Sequence, residues 1–167
     1  PAAPLAGTRF KAGGPLLVTH GGMSGPAILK LSSYAARHLA EHSYEATLVV
    51  NWLDSPEQEA RSLLESIASA NSGKMVANAH PEDIPSRLWE YLVGKCGVRE
   101  DAKWAELGGK GFNRLSAALV SDQYRICGKS RFKEEFVTCG GVALSNLDLD
   151  TLECRKHPGL FFAGEVI

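Results

Sequence analysis

Four segments of the chain carry residue types that could do chemistry. The first is Gly22-Met23-Ser24-Gly25-Pro26, with His20 four residues before the serine. A serine nucleophile on a strand-to-helix turn needs glycine two residues after it, and Pro26 stands there instead. No strand-borne acid partner is evident either. A turn that leads into a helix start offers free N–H groups to an anion or polar group. His20 and Ser24 are therefore candidates for such a site, beside the plainer reading of a capped helix. The second segment, Gly108-Gly109-Lys110-Gly111, resembles a phosphate loop. A Walker loop needs Gly-Lys-Ser/Thr with a glycine five residues before that lysine, and a dinucleotide loop needs a third glycine where Arg114 stands. The segment is expected to be a flexible turn between helices. The third, Thr138-Cys139-Gly140-Gly141-Val142, ends a strand in two glycines, which permits close approach of another backbone or a flat ligand. Cys139 would act as a nucleophile only beside a cation or a helix N-terminus. The fourth, Gly159 to Ile167, is an apolar run into Gly164-Glu165. It suits a strand covered on both faces, as in a parallel sheet, yet no neighbouring strands with crossover helices flank it.

Metal chemistry finds little support. Cys96, Cys127, Cys139 and Cys154 form no C-x-x-C, and no Cys/His pair has zinc-ligand spacing. The thiols are expected to be free, in a cytoplasmic setting. The 167 residues are 44% hydrophobic and 22% charged, with a net charge of -1, which places the chain among globular proteins rather than disordered ones. No apolar run approaches the roughly 18 residues of a membrane span, and no secretory signal is recognisable. The near-neutral balance argues against general nucleic-acid binding, which draws on an excess of Lys and Arg. The densest basic run, Lys129, Arg131 and Lys133, reads as a solvated strand edge.

These segments need elements to position them. Pro1 to Gly14, rich in Pro, Ala and Gly, is expected to be loosely ordered. Pro15 to Thr19 suits a short buried strand. Ser24-Gly25-Pro26 should open a helix to about His42, with Ile28, Leu31, Ala35 and Leu39 inward. Ala46 to Trp52 is β-branched and apolar, a strand. Asp54 or Ser55 should cap a second helix with Leu63, Leu64, Ile67 and Ala68 inward. Ile84-Pro85-Ser86 starts a third, burying Leu88, Trp89, Leu92 and Val93. Asp101 to Leu107 is one or two helical turns. Phe112, Leu115, Leu119 and Val120 mark a further helix, and Trp89, Leu92, Leu115 and Leu119 should share one core. Tyr124 to Cys127, Glu134 to Cys139 and Leu160 to Ala163 read as strands. The order predicts an α+β fold in which a helical subdomain is inserted into a β unit.

Three stretches, residues 14–29, 132–142 and 151–166, jointly resemble the BaiN/RdsA-type (YhiN-like) family of NAD(P)/FAD-dependent flavoproteins. The resemblance runs in the same order along nearly the whole chain and takes in Arg87-Leu88-Trp89. It implies a β-barrel-like insert unit, of the reductase and elongation-factor type and with one or two strands missing, over residues 1–53 and 122–158. Residues 54–121 would be its small helical bundle, and 159–167 a strand returning to a flavin-binding domain outside this chain. The phosphate loop and the segment after Gly164-Glu165 are expected outside it too. FAD and NAD(P)H are thus implied as cofactor and reductant of the intact enzyme, which would pass hydride to a small organic acceptor. The resemblance sets Gly164 and Glu165 beside the flavin, and Gly140 and Gly141 at its ring. His20, Ser24 and Thr138 are candidates for a substrate or anion contact. The expected partners are the flavin-binding domain and a small-molecule substrate, with neither nucleic acid nor membrane. Self-association through the 159–167 strand is a further expectation. The chain alone is expected to be inactive. The rival reading is a stand-alone protein- or ligand-binding module.

Overall fold

A computed structural model describes residues 1–129 and 140–167. In chain order the elements are β1 (Ala2–Pro4), β2 (Lys11–Gly13), β3 (Leu17–Thr19), β4 (Gly22–Ser24), α1 (Pro26–Tyr34), α2 (Ala36–Glu41), β5 (Glu45–Val50), α3 (Glu57–Ala70), α4 (Ser86–Lys95), α5 (Gly108–Val120) and β6 (Asp122–Cys127), with short 3-10 turns between and after them. The chain divides into two compact units, residues 1–130 and 131–167.

In the first unit β5 and β6 pair antiparallel, from Glu45 opposite Cys127 to Val50 opposite Asp122. The N-terminal segment, expected to be loose, is instead the β1–β2 hairpin. Ala2 and Asn51 exchange two backbone hydrogen bonds of 2.9 Å, and Ala6 N–H donates to the Thr47 carbonyl at 2.9 Å. These contacts join the hairpin to β5, giving the strand order β2–β1–β5–β6. Ala3 and Leu5 are buried beneath it. Long-range pairing has overridden the weak local propensity of Pro, Ala and Gly. The described strands form an open sheet and do not close into the barrel that the sequence resemblance implies.

Pro15 to Thr19 also departs from expectation. Among the described residues β3 pairs only with β4, around the two-residue turn His20-Gly21, and Leu17 and Val18 are exposed. A strand is buried only where a layer covers it; Met23 of β4 packs against the core, but among the described residues nothing covers Leu17 and Val18. Ser24 ends β4 opposite Leu17 and does not cap α1; Gly25 occupies that position with φ 92°. The reason is steric. A Cβ at Gly25 would lie 3.0 Å from the Pro15 carbonyl and 3.1 Å from the Leu17 nitrogen. Gly25→Ala is therefore expected to lower the stability of the first unit by about 1–3 kcal/mol, through positive φ and this close approach together. Urea unfolding checks this; an unchanged midpoint would show that the turn relaxes freely.

The remaining helices fill the chain between β5 and β6. α3 and α4 both pack on α5. Asp54 and Ser55 make no side-chain cap at α3. The Asn51 amide ties this turn instead, donating to the Ser55 carbonyl at 2.8 Å. On α3 the buried stripe is Ala60 and Leu64, whereas Leu63 is exposed. Trp89, Leu92, Leu115 and Leu119 share one core, as their spacing predicts. Gly108 to Gly111 is the first turn of α5 rather than a flexible link. At Gly111 the Leu107 side chain occupies the space where a Cβ would sit, so packing rather than turning explains that glycine.

The second unit is small. Leu147 pairs with Cys154 and Glu153 with Phe161 by single antiparallel bridges, and Leu147 is the most buried side chain among its described residues. Asp148 Oδ1 accepts N–H bonds from Asp150 (3.0 Å) and Thr151 (3.3 Å). These donors hold the Asp148 carboxyl below its ordinary range. Leu160 to Ala163, expected as a strand, contributes only the Phe161 bridge, and Gly164–Val166 is a 3-10 turn. A strand needs a ladder partner for its backbone groups, and here the ladder is two bonds long: Phe162 N–H donates to the Leu152 carbonyl at 3.0 Å, and the Leu160 carbonyl accepts from Cys154 N–H at 2.7 Å. The predicted strand Glu134 to Cys139 lies outside the described residues.

Candidate functional site

The sequence singles out His20 and Ser24, and the hairpin separates them. His20 is exposed at its tip, while Ser24 is paired with Leu17 at its base. No hydrogen bond joins the two among the described residues. The helix start behind them is also engaged, because Ala27 N–H donates to the Pro15 carbonyl at 3.1 Å. An anion there would have to displace that bond. Thr138 and Cys139 lie outside the described residues.

Gly140, Gly141, Gly164 and Glu165 all belong to the second unit. Val142 N–H donates to the Val166 carbonyl at 2.8 Å, which ties the glycine pair to the Gly164–Val166 turn. A Cβ at Gly141 would lie 2.6 Å from that same carbonyl oxygen. The requirement for glycine there is thus met by the chain's own backbone. Gly140 (φ 112°) and Gly164 (φ 81°) have open space beside them, and Glu165 is exposed. A flavin needs a phosphate cradle, a ribose acid and a wall for its ring. Among the described residues Gly140, Gly164 and Glu165 present an open, exposed edge of the second unit.

The most tightly organised polar group lies elsewhere and was missed in the sequence. Asp122, 3% exposed at the start of β6, accepts the Trp52 indole N–H at 3.0 Å. It also accepts the Tyr124 hydroxyl and binds Lys95 Nζ at 2.5 Å. Lys95 Nζ lies 4.1 Å from the Tyr124 ring centre. Burial, then the bond to Asp122, pushes the Tyr124 hydroxyl far above its ordinary range, so it remains a donor. Beside this knot is a shallow depression lined by Cys96, Gly97, Arg114, Ala117 and Ala118. Burial pushes the Cys96 thiol up, against a smaller opposing pull from Arg114. A protonated thiol is a poor nucleophile, and the group reads as structural. Among the described residues no three His, Cys, Asp or Glu side chains gather into a metal site, and no helix is long and apolar enough to cross a membrane.

One surface combines cations with planar rings. The Arg9 guanidinium sits 6.0 Å from the Phe10 ring centre, Phe10 lies 5.6 Å from His38, and His38 lies 4.1 Å from His42. His42 Nδ1 is 2.8 Å from the His38 carbonyl oxygen, which accepts its proton and fixes the ring. Sequence reasoning passed over this group because the residues come from a hairpin turn and a helix that only folding brings together.

The first unit is thus an α+β module: an open antiparallel sheet with helices spliced between two adjacent strands. Residues 6–137 match the family described as HI0933-like protein barrel and H2TH domain, and the chain belongs to that family. Two curated relatives are both named ribosomal RNA dihydrouridine synthase. The Escherichia coli protein is 31% identical over 152 residues, covering 91% of this chain and 36% of its own length. The Haemophilus influenzae protein is 25% identical over 159 residues, covering 91% of this chain and 35% of its own. The chain spans about a third of the length of these relatives. The family named from the three sequence stretches is therefore correct.

Proposed function

We propose that this chain is the insert portion of a flavin-dependent oxidoreductase, with FAD and NAD(P)H serving the intact protein and a uridine of ribosomal RNA as the acceptor. The observation that carries the reading is collinear similarity over 91% of the chain to two relatives that share one name. The small organic acceptor expected from sequence then becomes a base within a polymer. In such a reduction the C5–C6 double bond of uracil takes up a hydride and a proton, and NAD(P)H leaves as NAD(P)+. Gly140, Gly164 and Glu165 offer the open edge on which a flavin ring held by another part of the protein could rest. By itself the chain holds flavin weakly or not at all, and is catalytically silent.

Titrating the chain with FAD tests the reading. The expected result is no stoichiometric quenching of flavin emission and no protein-bound yellow absorbance. Tight one-to-one binding would overturn it. For the intact protein the readout is dihydrouridine in RNA incubated with FAD and NAD(P)H.

A further inference from the structure

We propose that the face built by the β1–β2 turn and helices α1 and α2 is a contact surface for single-stranded RNA. The inference rests on the reading above for its choice of RNA and on three observations for its place. Charge is the first. Residues 1–40 contain Arg9, Lys11, Lys30 and Arg37 and no Asp or Glu, although the whole chain carries -1. A whole-chain balance conceals this segregation, and phosphate binding depends on local charge. Among the described residues the ion pairs formed by Lys and Arg involve Arg61, Lys95, Arg99 and Arg125 instead.

Spacing is the second. Lys30, Tyr34 and Arg37 fall at i, i+4 and i+7, one side of a helical path. Ala35 N–H bonds to the Leu31 carbonyl and Leu39 N–H to the Ala35 carbonyl, which carries that path from α1 into α2. Leu31, Ala35 and Leu39 are buried on the other side, while Lys30, Tyr34 and Arg37 are exposed, Tyr34 by 63%. The third is the row of planar groups, Arg9, Phe10, His38 and His42, that continues the face from His38. Tyr34 and His42 are exposed and Phe10 and His38 half-buried, and cations interleaved with accessible rings match a strand whose phosphates alternate with unstacked bases. The acids near this face are Glu41, exposed at the end of α2, and Glu45, which pairs with Arg125 at 3.5 Å.

The test is fluorescence anisotropy of a fluorescein-labelled, uridine-containing single-stranded RNA of about 16 nucleotides, titrated with the 167-residue chain at several salt concentrations. Arg9→Ala/Arg37→Ala is expected to weaken binding at least about tenfold and to lower the salt slope by about 1.4, the value for two phosphates of a single strand. Tyr34→Ala is expected to weaken binding about fivefold or more with the slope unchanged. Lys74→Ala/Lys110→Ala, which removes the same charge from exposed positions of the helical block, should leave affinity within about twofold. Circular dichroism confirms that each variant folds. The proposal is overturned if both double variants lose affinity equally, if Arg9→Ala/Arg37→Ala loses none, or if that pair governs binding to phosphatidylglycerol vesicles while RNA is not bound. The outcomes separate cleanly. RNA binding through Arg9 and Arg37, with no dihydrouridine formed by the intact protein, would keep the surface and remove the enzymatic reading. Dihydrouridine formed by an intact Arg9→Ala/Arg37→Ala protein at undiminished RNA affinity would do the reverse.

Discussion

Trp89→Ala is expected to destabilise the first unit by about 3–5 kcal/mol, the cost of emptying a large aromatic site that its surroundings cannot refill. Trp89 is fully buried at the centre of the helical block. Its ring stacks on Trp104 at 6.2 Å with a 21° tilt, and Trp104 in turn contacts Phe112 at 5.9 Å. Its indole N–H donates to the Val76 carbonyl at 2.7 Å, so truncation also leaves a buried acceptor unpaired. Collapse is hindered on several sides by Leu92, Leu115 and Leu119, which are already fully buried. Trp89→Phe separates the two contributions. It keeps most of the ring stacking and loses the hydrogen bond, for an expected cost of about 1–2 kcal/mol. Urea denaturation followed by circular dichroism measures both. A loss under about 1 kcal/mol for the alanine variant would show that the indole is not central to the core.

Asp122→Ala comes second, with an expected cost of about 3 kcal/mol. Truncation strands the Trp52 indole N–H, removes the acceptor of the Tyr124 hydroxyl and releases Lys95. The Lys95 side chain is 34% exposed, so the ammonium can turn to water, and this keeps the cost at the low end for a broken buried pair. Asp122→Asn retains an acceptor and should lose roughly half as much. The double variant Lys95→Met/Asp122→Ala should cost clearly less than the two single losses added, since the charges are coupled. Additive losses would mean that the ion pair contributes nothing of its own.

The residues around Asp122 show where sequence reading reaches its limit. Trp52 and Asp122 are 70 positions apart, and neither sits in a motif. They meet because β5 and β6 are neighbours with the helices spliced between them, and a pairing register cannot be read from either strand alone. The face at Arg9 and His38 has the same origin. Its charge segregation was nevertheless legible in the first 40 residues, and averaging over the whole chain hid it.

What the sequence by itself determined is the local and the periodic. The start of α4, the inward stripe through Trp89, Leu92, Leu115 and Leu119, the α+β order and the family all follow from spacing that a helix or a motif imposes on nearby residues. Only the tertiary structure decided that Ala3 and Leu5 are core, that Leu17 and Val18 face outward, that Gly25 rather than Ser24 precedes the first helix, and that Leu160 to Ala163 is not a strand. Each of these depends on whether a distant segment supplies a hydrogen-bonding edge or an apolar cover. That is a free energy of contact between parts of the chain, and no single segment carries it.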